Sequence, residues 1–271
     1  MMTFAQLLIL QIIAHLLADF IFQSDLWTRH KRRYGFRSGI IYWHVIIVFI
    51  ISYLLSFQWE FVIPSLIISI VHLLIDGFKV KIGSIKIGRI KPFQKLTFFI
   101  DQFMHLLIIW IAVELYTKYY YIDPIVTIPI SKHHLIIILG YLLCLKPSNI
   151  FIKEVFSIYN IKIQKQAPEE FTNAHTTNIP EDLTNTLTTH IPEDLENAGK
   201  LIGNIERVLT LTLLLIGQFE AIGFIIASKS ILRYEGKKTS KTEYVLIGTL
   251  LSFGIAIIIG IGIPFLENLI N

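Results

Sequence analysis

The chain has 271 residues, of which 54% are hydrophobic and only 16% charged, and its mean hydropathy is +0.62. Soluble domains carry about a quarter charged residues, so this composition excludes a soluble globular protein. The formal charge is +4, although the stretch 166–199 holds seven acidic residues and no Lys or Arg; the basic excess elsewhere fits a membrane surface rather than a nucleic-acid partner.

The first four apolar runs are Thr3–Gln23, Gly39–Phe57, Phe61–Phe78 and Thr97–Tyr116. Each approaches the roughly 20 residues needed to cross a bilayer. In lipid such a run satisfies its backbone groups as a helix. No basic residue precedes the first run, and it carries His15 and Asp19, so it does not read as a cleavable signal peptide. Arg29, Lys31, Arg32, Arg33 and Arg37 fill the first connection; Lys79, Lys81, Lys86, Arg89, Lys91 and Lys95 fill the third. The turn around Gln58–Glu60 has no cation, and the connection after the fourth run has only Lys118 and Lys132. By the positive-inside rule the first and third connections are expected to be cytoplasmic.

The next segment, His134–Leu145, is short, and Lys146-Pro147-Ser148-Asn149 separates it from Ile150–Ile163. It reads as a short span followed by an interfacial helix, or as a re-entrant piece. Residues 164–198 read as an acidic, Thr-rich flexible linker, with Asn178–Asn185 nearly repeated at His190–Asn197. Leu201–Ser230 and Tyr244–Leu266 are the last apolar regions. One crossing per region would put their basic connection outside, so either the His134 region fails to cross or Leu201–Arg233 turns back at Gly217–Gln218. The expected fold is an all-α polytopic bundle of six to seven spans. It divides into a membrane core at 1–120, short or re-entrant helices at 121–163, the linker at 164–198, and C-terminal transmembrane helices at 199–271.

Ionisable side chains inside transmembrane segments are expensive and mark function. The first four runs hold His15, Asp19, His44, His72, Asp76, Asp101 and His105, with Glu114 near the end of the fourth. Three pairs, His15/Asp19, His72/Asp76 and Asp101/His105, are spaced i,i+4, which stacks each pair on one helix face. At about 1.5 Å per residue, the seven fall within about 3–12 Å of the same ends of their helices. They therefore form one layer.

Neutral imidazoles and carboxylates are the ligand set for a divalent metal, zinc foremost, with manganese or iron as the other candidates. His15, His72, His105, Asp76 and Asp101 are expected ligands, Asp19 a ligand or base, and His44 a ligand or donor to the transition state. One ion, or two, fits such a set. The competing explanation is that each pair is an interhelical hydrogen bond. Gln23 and Gln102 flank the layer as candidate donors. Cys144 is the single cysteine, which excludes an intramolecular disulfide and a cysteine-based zinc site. Glu206 and Arg207 read as lying near a membrane boundary, Glu220 as pointing inward, Asp25 as solvated, and His30, His133 and His134 as loop or interfacial residues.

The string His15-Leu-Leu-Ala-Asp19-Phe-Ile-Phe-Gln23, with His44, His72-Leu-Leu-Ile-Asp76, Lys79, Asp101, Gln102 and His105, resembles a bacterial integral-membrane family catalogued as domain of unknown function 3307. Segments Gly217–Gly223, Ala227–Arg233 and Glu243–Ser252 are similar to its longer members. The family has no established activity; the resemblance implies a bacterial inner-membrane location. By ligand spacing the pairs also resemble bacterial inner-membrane proteins described as metal-dependent hydrolases and linked to zinc phospholipase C-like enzymes, although the matching Glu of the phospholipases is missing. The expected function is a membrane-embedded metal-dependent hydrolase acting on a phospholipid or polyprenyl phosphate at the cytoplasmic leaflet, with the lipid bilayer as its surroundings. Two other classes stay open: a proton- or cation-coupled transporter or channel, and a sensor or effector with a structural metal. Neither an oligomeric state nor a protein partner is implied.

Overall fold

The computed structural model describes residues 2–84, 91–120, 131–159, 193–234 and 239–270. The duplicated motif Asn178–Asn185 and Lys86 and Arg89 of the third connection lie outside them. Every described element is helical: α1 Phe4–Leu16, α2 Asp25–Tyr34, α3 Gly39–Ser56, α4 Val62–Ser84, α5 Lys91–Tyr119, α6 Lys132–Cys144, α7 Lys146–Ile158, α8 Glu193–Leu215, α9 Phe219–Tyr234 and α10 Thr239–Ile270. Among the described residues, five helical segments are long and apolar enough to cross a membrane, six if the bent pair α6–α7 is one span. The chain is an all-α membrane protein.

The first four spans match the apolar runs closely: Phe4–Phe22, Gly39–Ser56, Trp59–Ile82 and Leu96–Tyr119. α1 begins with a capping box in which the Thr3 hydroxyl accepts from the Gln6 N–H and the Gln6 side chain accepts from the Thr3 N–H. At its other end the helix widens into a π-helical turn over Leu17–Phe22, a feature that recurs at functional sites; Asp19 sits in it.

α1 is the shared wall of the molecule. One face, with Leu7 and Ala18, packs into a cluster with Val48, Phe61, Ile68, Ile109, Val113 and Tyr116 from α3 to α5. The opposite face, with Ile9, Ile13, Leu16 and Phe20, packs on Leu135, Ile136 and Leu139 of α6 and on Leu211, Ala256 and Ile263 further along. The outward faces of α3 to α5 are apolar instead, with Trp43, Ile50, Leu54, Ile63, Ile70, Phe103 and Trp110 exposed, as lipid contact requires.

The first connection, read as a basic loop, holds helix α2. Ser24 caps it, accepting from the Trp27 N–H at 3.2 Å, and Gly35 at φ +54° ends it. The Leu201 region does break at the expected place, with Gly217 at φ +75° between α8 and α9. Finally, α8 starts at Glu193, inside the segment read as linker, where acidic residues suit a helix N-terminus.

α6 and α7 meet at Leu145 with a bend of 45°. Pro147 cannot donate to the preceding turn and its ring excludes a continuous helix there. The carbonyls this strands are taken up by side chains. Ser148 donates to the Leu143 carbonyl at 2.5 Å, and Arg207 of α8 donates to that of Cys144 at 2.6 Å.

Candidate metal centre

α1, α3, α4 and α5 each turn a polar stripe towards the inside of the first bundle. Because the helices pack side by side, the three i,i+4 pairs and His44 meet at one level. All seven residues of the predicted layer do so. The four imidazoles form a chain of ring contacts with His72 at its middle: 4.0 Å between centroids to His105, 4.9 Å to His44 and 5.9 Å to His15, with His15 5.3 Å from His105. All four histidines are buried, as is Asp101.

Three atoms stand closest to one another. His44 Nε2 lies 2.9 Å from His72 Nε2, and Asp19 Oδ1 lies 3.2 Å from the first and 3.4 Å from the second. Asp76 Oδ2 approaches the same nitrogens at 4.0 and 3.8 Å. Ligands bound at about 2.0–2.2 Å in a tetrahedron stand about 3.3–3.6 Å apart, so this triangle nearly has the edges that one small divalent cation needs. Two further groups of metal-ligand type are within mutual reach, His15/Asp19/His72 and Asp76/Asp101/His105.

His15 Nε2 stands 3.2 Å from Gln102 Oε1, while Gln102 Nε2 donates to Asp101 Oδ2 at 3.2 Å. Gln102 therefore does flank the layer as a donor, whereas Gln23 turns to Thr28, which donates to it at 3.3 Å. His105 Nδ1 lies 2.8 Å from the Asp101 carbonyl oxygen. A carbonyl only accepts, so Nδ1 carries the proton and, in the neutral ring, Nε2 keeps its lone pair. That Nε2 is buried without a hydrogen-bond partner, as are Asp19 Oδ1 and Asp101 Oδ1. Buried polar atoms are normally satisfied, and each exception calls for an explanation.

Two lysines that the sequence reading did not count in the layer, Lys31 of the first connection and Lys79 of the family string, belong to the centre. Lys31 of α2 reaches Asp76 Oδ2 at 2.5 Å, and Lys79 of α4 reaches Asp101 Oδ2 at 2.6 Å. Lys31 is buried. What brings it inward is the docking of the α2–α3 connection on α4: Phe36 lies over Gly77 so closely that a Cβ there would stand 1.8 Å from the ring, and Gly35 sits against Val80. Gly77 next to Asp76 was the readable signal, a small residue where another segment comes close.

A cavity with room for one water molecule adjoins the layer, lined by His15, His72, His105, Gln11 and Ser52 among others. Beyond it Ser52 donates to Gln11 Oε1 at 2.6 Å and stands 3.1 Å from the Ser65 hydroxyl; Gln11 Nε2 donates to the Ser52 carbonyl at 3.0 Å.

The other polar residues fall elsewhere. Arg207 is fully buried, because the α6–α7 break supplies its acceptors. Glu206 forms an ion pair with Lys229. Glu220 is exposed rather than turned into the bundle. His133 pairs with Glu267 at the surface, His30 Nδ1 lies 2.8 Å from the Ser38 hydroxyl oxygen, and Asp25 is exposed, 3.5 Å from Lys146.

No curated protein and no solved structure matches this chain. One family matches, described as a protein of unknown function (DUF3307), over residues 7–136, which contain most of α1, all of α2 to α5 and every residue of the His/Asp layer. Over residues 7–136 the chain is therefore similar to the DUF3307 family.

Proposed function

We propose that the layer is the divalent-metal centre of a membrane-embedded hydrolase, acting on a phosphate-bearing lipid at the cytoplasmic leaflet of a bacterial inner membrane. The observation that carries the metal reading is the triangle of His44 Nε2, His72 Nε2 and Asp19 Oδ1, with edges of 2.9, 3.2 and 3.4 Å. These three hold the ion, Asp76 is the fourth ligand, and zinc fits the donor set best. A bound ion of this kind supplies a water acidified towards neutrality. Around it, Gln102 fixes the ring of His15, the Asp101 carbonyl fixes the tautomer of His105, and His105 Nε2 is the open acceptor for a proton. The leaflet assignment rests on the cations of the first and third connections, and the lipid substrate on that basic charge together with Lys31 and Lys79, whose ammonium groups reach the layer.

Elemental analysis of the detergent-purified chain tests the metal, with one zinc or manganese per chain expected. Release of a headgroup or phosphate from phospholipid or polyprenyl phosphate, abolished by chelation and restored by metal, tests the reaction. A chain with no metal, unable to take it up, overturns the reading. The Gln11–Ser52–Ser65 network beyond the cavity favours a second reading, a proton or cation path through the bundle. Ion flux in proteoliposomes that persists without any hydrolysis would favour it over the first.

A further inference from the structure

Lys31 occupies Asp76, the carboxylate assigned as the fourth ligand, and Lys79 occupies the neighbouring Asp101. Among the described residues the centre holds three carboxylates, Asp19, Asp76 and Asp101, and two ammonium groups bonded directly to two of them. With the imidazoles neutral, as metal ligands must be, the buried charge is −1. One divalent ion takes it to +1, and two would take it to +3. A buried net charge is costly unless a counter-charge enters with it. The centre with one ion is therefore complete only with a single negative charge added, and a second ion has no compensation at all.

We infer that Lys31 and Lys79 are exchangeable counter-ions: they restrict the centre to one divalent ion and, as that ion draws Asp76 away from Lys31, the two ammonium groups bind the oxygens of a monoanionic phosphodiester. This deepens the metal reading and rests on it. Three observations single out these two lysines among the cations of the connections. Their ammonium groups are already within the layer. Lys31 is buried, so its charge cannot simply return to water. Asp101 Oδ1 and Asp19 Oδ1 remain without hydrogen-bond partners although two cations are present, so the lysines leave ligand capacity for an ion. Ion and anion then bind with positive coupling, because each supplies the charge that the other lacks. The chemistry is that of a phosphodiester carrying one negative charge, in a lipid headgroup or in a free diester.

The test is calorimetric titration of the purified full-length chain in detergent with zinc, and separately with manganese, with and without dimethyl phosphate. The wild type is expected to bind one ion, more tightly when the diester is present. Lys31→Met and Lys79→Met should each bind the ion at least about tenfold more tightly without diester, because a repelling charge is gone, and should lose most of the diester's effect. Lys31→Arg keeps the charge and should stay near the wild type, and circular dichroism of each variant confirms its fold. Vesicles containing phosphatidylglycerol in place of dimethyl phosphate separate a lipid ligand from a free diester: tighter coupling with vesicles assigns the lipid. A wild type that binds one ion while both Met variants bind it equally or more weakly overturns this inference and leaves the metal reading standing. Two ions on the wild type would also overturn it. A wild type that binds no ion removes both.

Discussion

Two centres in this chain bury charge inside apolar helices, and they treat it in opposite ways. Around Arg207 every contact closes. Its Nε donates to the Cys144 carbonyl at 2.6 Å, Nη1 to Ser252 at 3.0 Å, and Nη2 to Asn149 and Asn204 at 2.5 and 2.7 Å. Asn149 in turn donates to Asn204 at 2.8 Å. In the His/Asp layer the contacts stay open: Asp19 Oδ1, Asp101 Oδ1, His44 Nδ1 and His105 Nε2 are buried without hydrogen bonds. A satisfied network holds helices together, whereas an unsatisfied one stores free energy that a ligand can release. Burial of charge alone does not identify a site; the difference lies in what is left unpaired.

Breaking the closed centre should cost the most stability. Arg207→Met removes four hydrogen bonds and strands the Cys144 carbonyl at the α6–α7 break. We expect a loss of about 3–5 kcal/mol, read as thermal unfolding in detergent. Lys in its place cannot reproduce the forked geometry and should recover little. Native-like melting of Arg207→Met would remove the contrast between the two centres.

Asp19→Asn attacks the open centre with almost no change of shape. Metal affinity should fall at least about a hundredfold, equivalent to about 2.7 kcal/mol, while melting without metal stays the same or rises, since an unsatisfied buried carboxylate is gone. Parallel loss of melting temperature and metal binding would instead mark the layer as structural glue.

Gly77→Ala tests how the centre acquires its lysine. The new Cβ would stand 1.8 Å from the Phe36 ring, so Phe36 must leave and carry the α2–α3 connection with it. Overpacking of this kind costs about 1–3 kcal/mol. If Lys31 depends on that docking, the variant should also shift metal affinity in the same direction as Lys31→Met.

These residues also show what a sequence of this kind discloses. The four spans were readable to within a few residues because lipid demands continuous apolar helices, and the seven-residue layer followed from helical spacing plus alternating direction. Lys31 was not readable as a member of it. Its reach to Asp76 depends on a helix in a basic connection folding back on α4, a tertiary contact made by Gly35, Phe36 and Gly77. The burial of Arg207 was not readable for a related reason, since its acceptors exist only because α6 and α7 bend at Leu145. The linker boundary moved because acidic residues are as much at home in the first turn of a helix as in a tether.

The smallest effect is expected at His133. Its Nδ1 pairs with Glu267, so in composition it resembles the His–Asp pairs of the layer. Its side chain, however, is 56% exposed and Glu267 is 25% exposed. Water already solvates both partners there, and an exposed pair is worth about 0–1 kcal/mol. His133→Ala should therefore change melting by no more than that and leave the number and affinity of bound zinc ions unaltered. The comparison isolates burial from residue type: the same two chemical groups are inert where water reaches them, and open to a ligand where it does not. A loss of bound zinc in His133→Ala would place a metal at the α6–α10 end of the molecule, and the argument from unsatisfied burial would then fail at its own control.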